Sequence, residues 1–234
     1  HFAPTEIARQ NLLNEGISES QIYVTGNTVI DSLLYMVEKA RVTSFSDSIL
    51  KSMPFLKEKQ DNLSRIILVT GHRRENFGEG FEEICMSLHQ IAIENPDVNI
   101  IYPVHLTPNV RKPVNRILSN IKNVYLIEPM EYLAFIKLMD LSYLILTDSG
   151  GIQEEAPSLG KPVLLMRDTT ERPEALDAGT VKLVGTSGKE ILKMVNQLLT
   201  SNEIYTQMSK AHNPYGAGNS SNVIYDILST EATL

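Results

Sequence analysis

Runs of aliphatic and β-branched residues recur along the chain, each closed by a Gly, a Pro or a polar cluster. Each is followed by a stretch in which apolar residues return every three or four positions. The runs SRIILVTG (64–71), VNIIYPVH (98–105), VYLIEP (124–129), YLILTDSG (143–150), PVLLMRD (162–168) and TVKLVG (180–185) read as strands. They are apolar almost throughout rather than at alternate positions, as a parallel strand covered on both faces requires. Helices are predicted between and after them, over GFEEICMSLHQIAIENP, VRKPVNRIL, EYLAFIKLMDLS, IQEEAPSLG, RPEALDAG and SGKEILKMVNQLLTS. The first of these stops at Asn95-Pro96, because a proline excludes the helical conformation from the residue before it. About six strands alternating with helices within residues 64–185 predict an α/β fold with a doubly wound parallel sheet.

The flanks read differently. HFAPTEIARQ has a short apolar entry, a Pro, and Thr5 as N-cap of a helix, TEIARQNLLNEG, that ends at Gly16. IYVTG (22–26) reads as a short strand and TVIDSLLYMVEKARV as an amphipathic helix. The polar NPYGAGNSS (213–221) breaks the alternation before a last helix, VIYDILSTEA. A chain that starts at His1 in what reads like the middle of a domain is expected to be a piece of a longer protein.

Composition narrows the function. At 234 residues with 42% hydrophobic and 21% charged residues, the chain has enough apolar material for a core and enough charge for a solvated surface. A net charge of −7 argues against non-specific nucleic-acid binding, which needs a broad basic surface, but not against a small anion held by a few arginines. Cys85 is the one cysteine, so an internal disulfide and a cysteine-based zinc site are excluded and a reducing cytoplasm is the natural setting. No stretch has the pattern of a signal peptide or an apolar run of about 18 residues, so no membrane span is expected.

In a doubly wound sheet, ligands bind beyond the carboxyl ends of the strands, so the residues after each strand carry the reading. GHRREN (71–76) offers a His and two Args, for a phosphate or as acid and base, or else is a solvated polar loop. HLTPNVR (105–111) again offers His and Arg. EPMEYLAF (128–135) offers free backbone groups at Pro129 and a Phe135 that either stacks on a base or belongs to the core. In TDSGGIQEEAPSLGKP (147–162), Asp148 and Ser149 can cap a helix, and Gly150 and Gly151 let a ligand approach the backbone. Free N–H groups at that helix start favour a diphosphate, and Glu155, about a turn farther in, can take a ribose's hydroxyls. The plain alternative is a tight strand-to-helix turn with two glutamates, Glu155 and a Glu154 that is structural or solvent-facing. RDTTERPEA (167–175) offers Thr169, Thr170 and Arg172 as donors to phosphate or sugar, or is another helix start with Pro173 in its first turn.

Together GHRRENFGEGFEEIC, YPVHLTPNVR, LTDSGGIQEEAPSLGKPVL and RDTTERPEAL with the later AGT resemble the non-hydrolysing UDP-N-acetylglucosamine 2-epimerases of bacteria. The resemblance runs from HFAPTE and TGNTVIDSL through AHNPYG, almost the whole chain. It implies a GT-B-like fold of two Rossmann-like domains with the nucleotide sugar in the cleft. It implies interconversion of UDP-N-acetylglucosamine (UDP-GlcNAc) and UDP-N-acetylmannosamine by elimination and re-addition of UDP, with inversion at carbon 2 and no metal or redox cofactor. The product feeds surface polysaccharides, and the full-length protein is expected to be a cytoplasmic homodimer.

Position by position, the resemblance makes Ser149, Gly150 and Gly151 the diphosphate loop, Glu155 the ribose carboxylate and Arg172 a contact to UDP. It sets Phe135 beside the uracil, with Met130 where some members have Gln. His72 matches the essential His near the leaving UDP, and Arg73 and His105 match positions that bind a second, activating UDP-GlcNAc. The family carries an N-terminal Rossmann-like domain ahead of HFAPTE, with the carboxylates that move the carbon 2 proton. The expected division is therefore 1–35 as the end of that domain, 36–212 as a complete UDP-binding domain and 213–234 as a C-terminal crossover helix. Val223, Ile224 and Ile227 of that helix are expected to be exposed, a surface for aggregation or dimerisation. A glycosyltransferase of the same fold and a non-catalytic UDP-sugar-binding module are the competing functional readings.

Overall fold

Ile66, Ile67, Leu68 and Val69 are at most 1% exposed, and both faces of this one strand are therefore inside. In the computed structural model, which describes residues 1–57 and 65–231, the strand is the centre of a parallel six-stranded sheet. Two short strands open the chain, β1 (Phe2–Ala3) and β2 (Tyr23–Val24). They pair in parallel as a separate two-stranded sheet, Phe2 opposite Tyr23. The main sheet consists of β3 (Ile66–Thr70), β4 (Asn99–Pro103), β5 (Val124–Ile127), β6 (Leu144–Thr147), β7 (Val163–Leu165) and β8 (Val181–Leu183). Its order is β5-β4-β3-β6-β7-β8. The chain winds outward from β3 to one edge, returns to β6 beside β3, then winds to the other edge. That reversal puts a crevice between the carboxyl ends of β3 and β6, where Thr70 lies opposite Thr147.

The helices are α1 (Glu6–Asn14), α2 (Thr28–Val42), α3 (Asp47–Ser52), α4 (Glu79–Glu94), α5 (Pro108–Leu118), α6 (Tyr132–Leu141), α7 (Gly150–Glu155), α8 (Pro173–Asp177), α9 (Gly188–Thr200), α10 (Asn202–Ser209) and α11 (Ser220–Glu231). Alternate strand residues divide between two cores. Ile67, Val69, Ile100, Leu144, Leu146 and Leu164 pack with α4, α5 and α9. Ile66, Leu68, Ile101, Ile145, Val163 and Leu165 pack with α2 and α6. The expected doubly wound α/β sheet is thus present.

Several local expectations change. The strand run from residue 64 begins at Ile66 among the described residues, and Ser64 lies outside them, as does Ala232 of the last helix. Phe2–Ala3, α3 and α10 are additions to the sequence reading. Helix α11 starts three residues earlier than the break in hydropathy suggested. Asp31 of α2 accepts the amides of Ser220 (3.1 Å) and Ser221 (2.8 Å), and so caps it from outside. Burial pushes the Asp31 carboxyl up, but these bonds outweigh it and its pKa is lowered. The preceding turn is locked by Gly26, at φ 82°, where a Cβ would meet Ser220 Oγ at 2.6 Å, while the Asn27 amide donates to Tyr215 O at 2.8 Å. The expectation for α11 is corrected: Val223, Ile224 and Ile227 are half-buried, and Tyr225 (70%) and Leu228 (51%) are the exposed apolar residues.

Leu146 lies in the central strand β6 with no exposure. Leu146→Ala is expected to lower the unfolding free energy by about 2–5 kcal/mol, read as a shift of the urea midpoint at unchanged slope.

Candidate functional site

The crevice at the β3–β6 junction is held by one side chain. Asp148, directly after β6 and wholly buried, turns Oδ2 to accept the backbone amides of His72 (2.8 Å) and Arg73 (2.7 Å). Its Oδ1 has no hydrogen-bond partner among the described residues and lies 3.8 Å from His72 Nδ1. Below it the hydroxyls of Thr70 and Thr147 meet at 2.6 Å, and Tyr102 Oη donates to Gly71 O at 2.7 Å. The sequence reading offered Asp148 as a helix cap. The structure corrects this: Ser149 holds the N-cap position of α7 with no side-chain cap bond, and Asp148 serves the neighbouring loop instead. The first amides of α7 therefore remain available to a ligand.

Gly150 and Gly151 do not need glycine for their backbone angles, since neither has a positive φ. They leave space. A Cβ on Gly150 would have Arg73 Nη2 at 4.0 Å as its nearest neighbour, and one on Gly151 would have Glu155 Oε1 at 3.6 Å. Arg73, expected at a second nucleotide site, thus carries its guanidinium over the start of α7. Gln153, fully buried, fixes the helix to the loop after β7: it donates to Ser149 O at 3.2 Å and accepts from Thr170 Oγ1 at 2.6 Å. Thr170 also accepts from the Arg172 amide at 3.0 Å. Its hydroxyl is spent inside the protein rather than pointing to a phosphate or sugar.

The adjacent glutamates face opposite ways. Glu154 is buried and bonded to the Arg172 guanidinium, and it accepts from Asn27 Nδ2 at 2.8 Å. Of the two readings left open, structural or solvent-facing, it is structural. Glu155 is half-buried and accepts from Tyr132 Oη at 2.9 Å. Burial raises its pKa, the Tyr132 bond opposes this, and the Glu154 charge adds to it. Arg172 heads α8 and keeps part of its side chain in solvent, 37%.

A second clamp binds the loop after β3 to the loop after β7. Arg167, 5% exposed, bonds Glu75 at 2.6 Å and grips Glu171 with two bonds of 2.7 and 2.9 Å. Asn76 Nδ2 donates to Met166 O at 3.0 Å. The Arg167 bonds hold the Glu171 carboxyl down at about 2. Sequence reading passed over Asp148 as an anchor, Arg167, Gln153, Asn27 and Tyr132. Their signal was present only as polar residues inside otherwise apolar or loop stretches.

His72 and His105 stack with ring centroids 5.0 Å apart and planes 11° apart. His105 Nδ1 accepts from the Thr107 amide at 3.2 Å and meets Thr107 Oγ1 at 2.7 Å. Phe135, on α6, is half-buried and packs against the core, and Met130 lies in the loop before α6. A cavity of about 740 Å³ has Met130, Leu133 and Lys137 on one side and Phe45, Ile49 and Met53 on the other. None of His72, Arg73, Phe135, Ser149, Gly150, Gly151, Glu155 or Arg172 lines it. Of the converging loops, the one after β5 lines this cavity, through Glu128, Pro129, Met130 and Glu131. The structure brings His72, Arg73, Ser149, Gly150 and Gly151 to the crevice, His105 through its stacking on His72, with Glu155 next to Gly151 and Arg172 bonded to Glu154. Met130 and Phe135, on either side of Tyr132 in the chain, pack against the core.

Comparison with known proteins gives a consistent picture. Residues 1–229 match a family model described as UDP-N-acetylglucosamine 2-epimerase. The chain is 56% identical over 229 residues to the UDP-N-acetylglucosamine 2-epimerase of Escherichia coli K12, covering 97% of this chain and 60% of that protein. It is similar to the crystal structure of the Neisseria meningitidis UDP-GlcNAc 2-epimerase bound to UDP-GlcNAc, at TM-score 0.89 and 52% identity, covering 98% of this chain and 61% of that one. The Methanocaldococcus jannaschii UDP-GlcNAc 2-epimerase in complex with UDP-GlcNAc and UDP superposes at TM-score 0.76 and 35% identity, covering 98% and 60%. The GT-B-like α/β class follows, and the chain spans about 60% of the length of the curated relatives it matches.

Two outcomes test the clamps. Glu154→Ala strands Arg172 and Asn27 and is expected to cost about 2 kcal/mol in urea unfolding. That is less than for a fully buried pair, because more than a third of the Arg172 side chain is in solvent. The Glu171 carboxyl is depressed in the folded state, so its contribution is present above its ordinary value and lost as pH falls toward about 2. Wild type is therefore expected to melt above Glu171→Gln at pH 6, with the gap closing between about pH 4.5 and 2.

Proposed function

We propose that this chain, which belongs to the UDP-N-acetylglucosamine 2-epimerase family, forms the UDP-binding half of an enzyme that interconverts UDP-GlcNAc and UDP-N-acetylmannosamine. The observation that carries the reading is the convergence at the β3–β6 crevice. The uncapped start of α7 lies beneath the Arg73 guanidinium, with His72 beside it and Glu155 one turn in. An N-terminal helix turn with free amides takes a phosphate group. Glu155, already accepting from one hydroxyl, that of Tyr132, is suited to the paired hydroxyls of a ribose. Neither the fold nor the amides alone select uridine. That part of the reading rests on the resemblance at Met130 and Phe135 and on the ligands of the similar structures.

In the reaction, UDP leaves the sugar's first carbon and negative charge grows on the diphosphate. The α7 amides, Arg73, Arg172 and His72 are the groups on this chain that stabilise that charge. Removal and return of the carbon 2 proton need a base on one face and an acid on the other. The resemblance gives those roles to carboxylates of the domain that the family carries ahead of residue 1. The division at residues 35 and 212 belongs to the same proposal. Its first boundary falls within α2, whose Ile30, Leu33, Val37 and Ala40 are buried against the main sheet. The assembly as a homodimer, the cytoplasmic setting and the role in polysaccharide synthesis are proposals of the same standing. So is the use of His105 and Arg73 for an activating UDP-GlcNAc.

Calorimetric titration with UDP, with ADP as control, tests the reading: selective binding of UDP is expected, and equal binding of ADP would overturn the uridine assignment. Glu155→Ala is expected to weaken UDP binding by about 1–3 kcal/mol through loss of charged hydrogen bonds. Because the Glu155 pKa is raised, its ionised, accepting form is lost at a pH above the ordinary carboxylate value. UDP affinity of the wild type should therefore fall earlier on acidification than that of Glu155→Gln, measured with the same ligand.

A further inference from the structure

We propose that Asp148 is a positioning residue for His72, holding the imidazole through Nδ1 so that Nε2 is the nitrogen presented to the departing diphosphate. The proposal rests on the reading of His72 as the residue beside the leaving group.

Three observations support it. Asp148 has no exposure, and Oδ2 already accepts two amides of the His72 loop, so the carboxylate cannot turn without breaking that loop. Its Oδ1 is buried and without a hydrogen-bond partner among the described residues, a costly state for a carboxylate oxygen unless a donor comes to it. The ring nitrogen facing it is His72 Nδ1, at 3.8 Å, and a small rotation of an exposed side chain closes that gap.

His105 limits what His72 can do. The Thr107 amide donates to His105 Nδ1, so that nitrogen carries no proton and the neutral ring holds it on Nε2. His105 is thereby fixed, and its face lies against the face of His72, 11° from parallel. A ring held by its face still has two orientations related by a half turn. One presents Nδ1–H to the bare carboxylate oxygen, the other presents a carbon-bound hydrogen. Asp148 selects the first, as the carboxylate partners of catalytic histidines do. The Nδ1 proton then stays in place in both charge states of the ring, and Nε2 alone gains and loses a proton. When the bond from the sugar's first carbon to the diphosphate oxygen breaks, the electron pair stays on that oxygen. A proton on Nε2 hydrogen-bonds to it.

The test is the tautomer, which a purely structural role would leave untouched. The chain is labelled with nitrogen-15 histidine, and long-range proton–nitrogen spectra are taken where the imidazoles are neutral, with His72→Gln identifying the His72 signals. The expected result is His72 protonated on Nδ1 and His105 on Nε2. Asp148→Asn keeps an oxygen for the two loop amides but turns a donor toward the ring, so His72 should move to the Nε2–H form while His105 stays as it was. Should that variant fail to fold, wild type decides: UDP is expected to move the Nε2 signal of His72 and leave Nδ1 in place. A wild-type His72 protonated on Nε2, an unchanged tautomer in folded Asp148→Asn, or a UDP response on Nδ1 each overturns the proposal. Absence of any UDP binding would sink the nucleotide reading and leave the tautomer result, taken without ligand, to decide this one.

Discussion

Two backbone amides on a single buried carboxylate oxygen set the geometry on which the rest of this molecule's ligand edge depends. In a doubly wound sheet the crevice at the reversal of strand order is only a gap. Two loops must still be held there at a fixed distance. Asp148, at the end of β6, reaches across to the first two amides after Gly71, and the Thr70–Thr147 contact lies one layer beneath. Because the bonds go to backbone rather than to side chains, the identities of residues 72 and 73 stay free for chemistry. The His72 and Arg73 side chains are thus presented over α7 by a bond that uses neither of them.

The same economy governs the glutamate pair. Adjacent positions on a helix point about 100° apart, so Glu154 and Glu155 cannot share a surface. Glu154 turns inward, where an unpaired carboxylate would be costly, and is satisfied by Arg172 and Asn27. Asn27 is also the N-cap of α2, accepting from the Val29 amide at 3.0 Å. The ion pair therefore fastens the segment before α2 to the strand-to-helix turn. Glu155 turns outward to Tyr132. The helix start is fixed by one glutamate and left adaptable at the other.

The sequence shows its fold clearly and its site only in part, for a physical reason in each case. All six strands of the main sheet are legible: the inner ones because a strand buried on both faces must be apolar at nearly every position, as Ile66 to Val69 are, and the edge strands β5 and β8, only partly buried, by their place in the alternation. The two-residue β1, the six-residue α3 and the eight-residue α10 are short and stand outside the strand–loop–helix alternation that makes the equally short α7 and α8 legible. Helix α11 was trimmed because its first turn is capped by Asp31, far away in sequence. The loops that hold the site were legible as loops, since each follows a strand. Which polar residue in them reaches solvent and which is an internal tie depends on pairs distant in sequence, such as Asp148 with His72 and Arg167 with Glu75. No spacing rule reports those pairs. Thr170 and Glu154 show the result: the same residue types that suit a ligand also suit an internal bond.

Charge counting bears on how this edge would meet the diphosphate proposed above. At this edge Arg73, Arg167 and Arg172 face Glu75, Glu154, Glu171 and Asp148, and Arg167 and Arg172 are already paired. With Glu155 counted as well, three arginines stand against five carboxylates, a sum of −2, so a general positive field is not what would draw an anion, in keeping with a net charge of −7. What remains is directional: free amides at the start of α7, the Arg73 guanidinium above Gly150, the solvent-facing part of Arg172 and the ring of His72. Directed donors held by internal ties need little rearrangement when charge develops on a leaving group, and that is the condition under which hydrogen bonds favour the transition state over the bound substrate. The ion pairs around the crevice therefore hold these few donors in place.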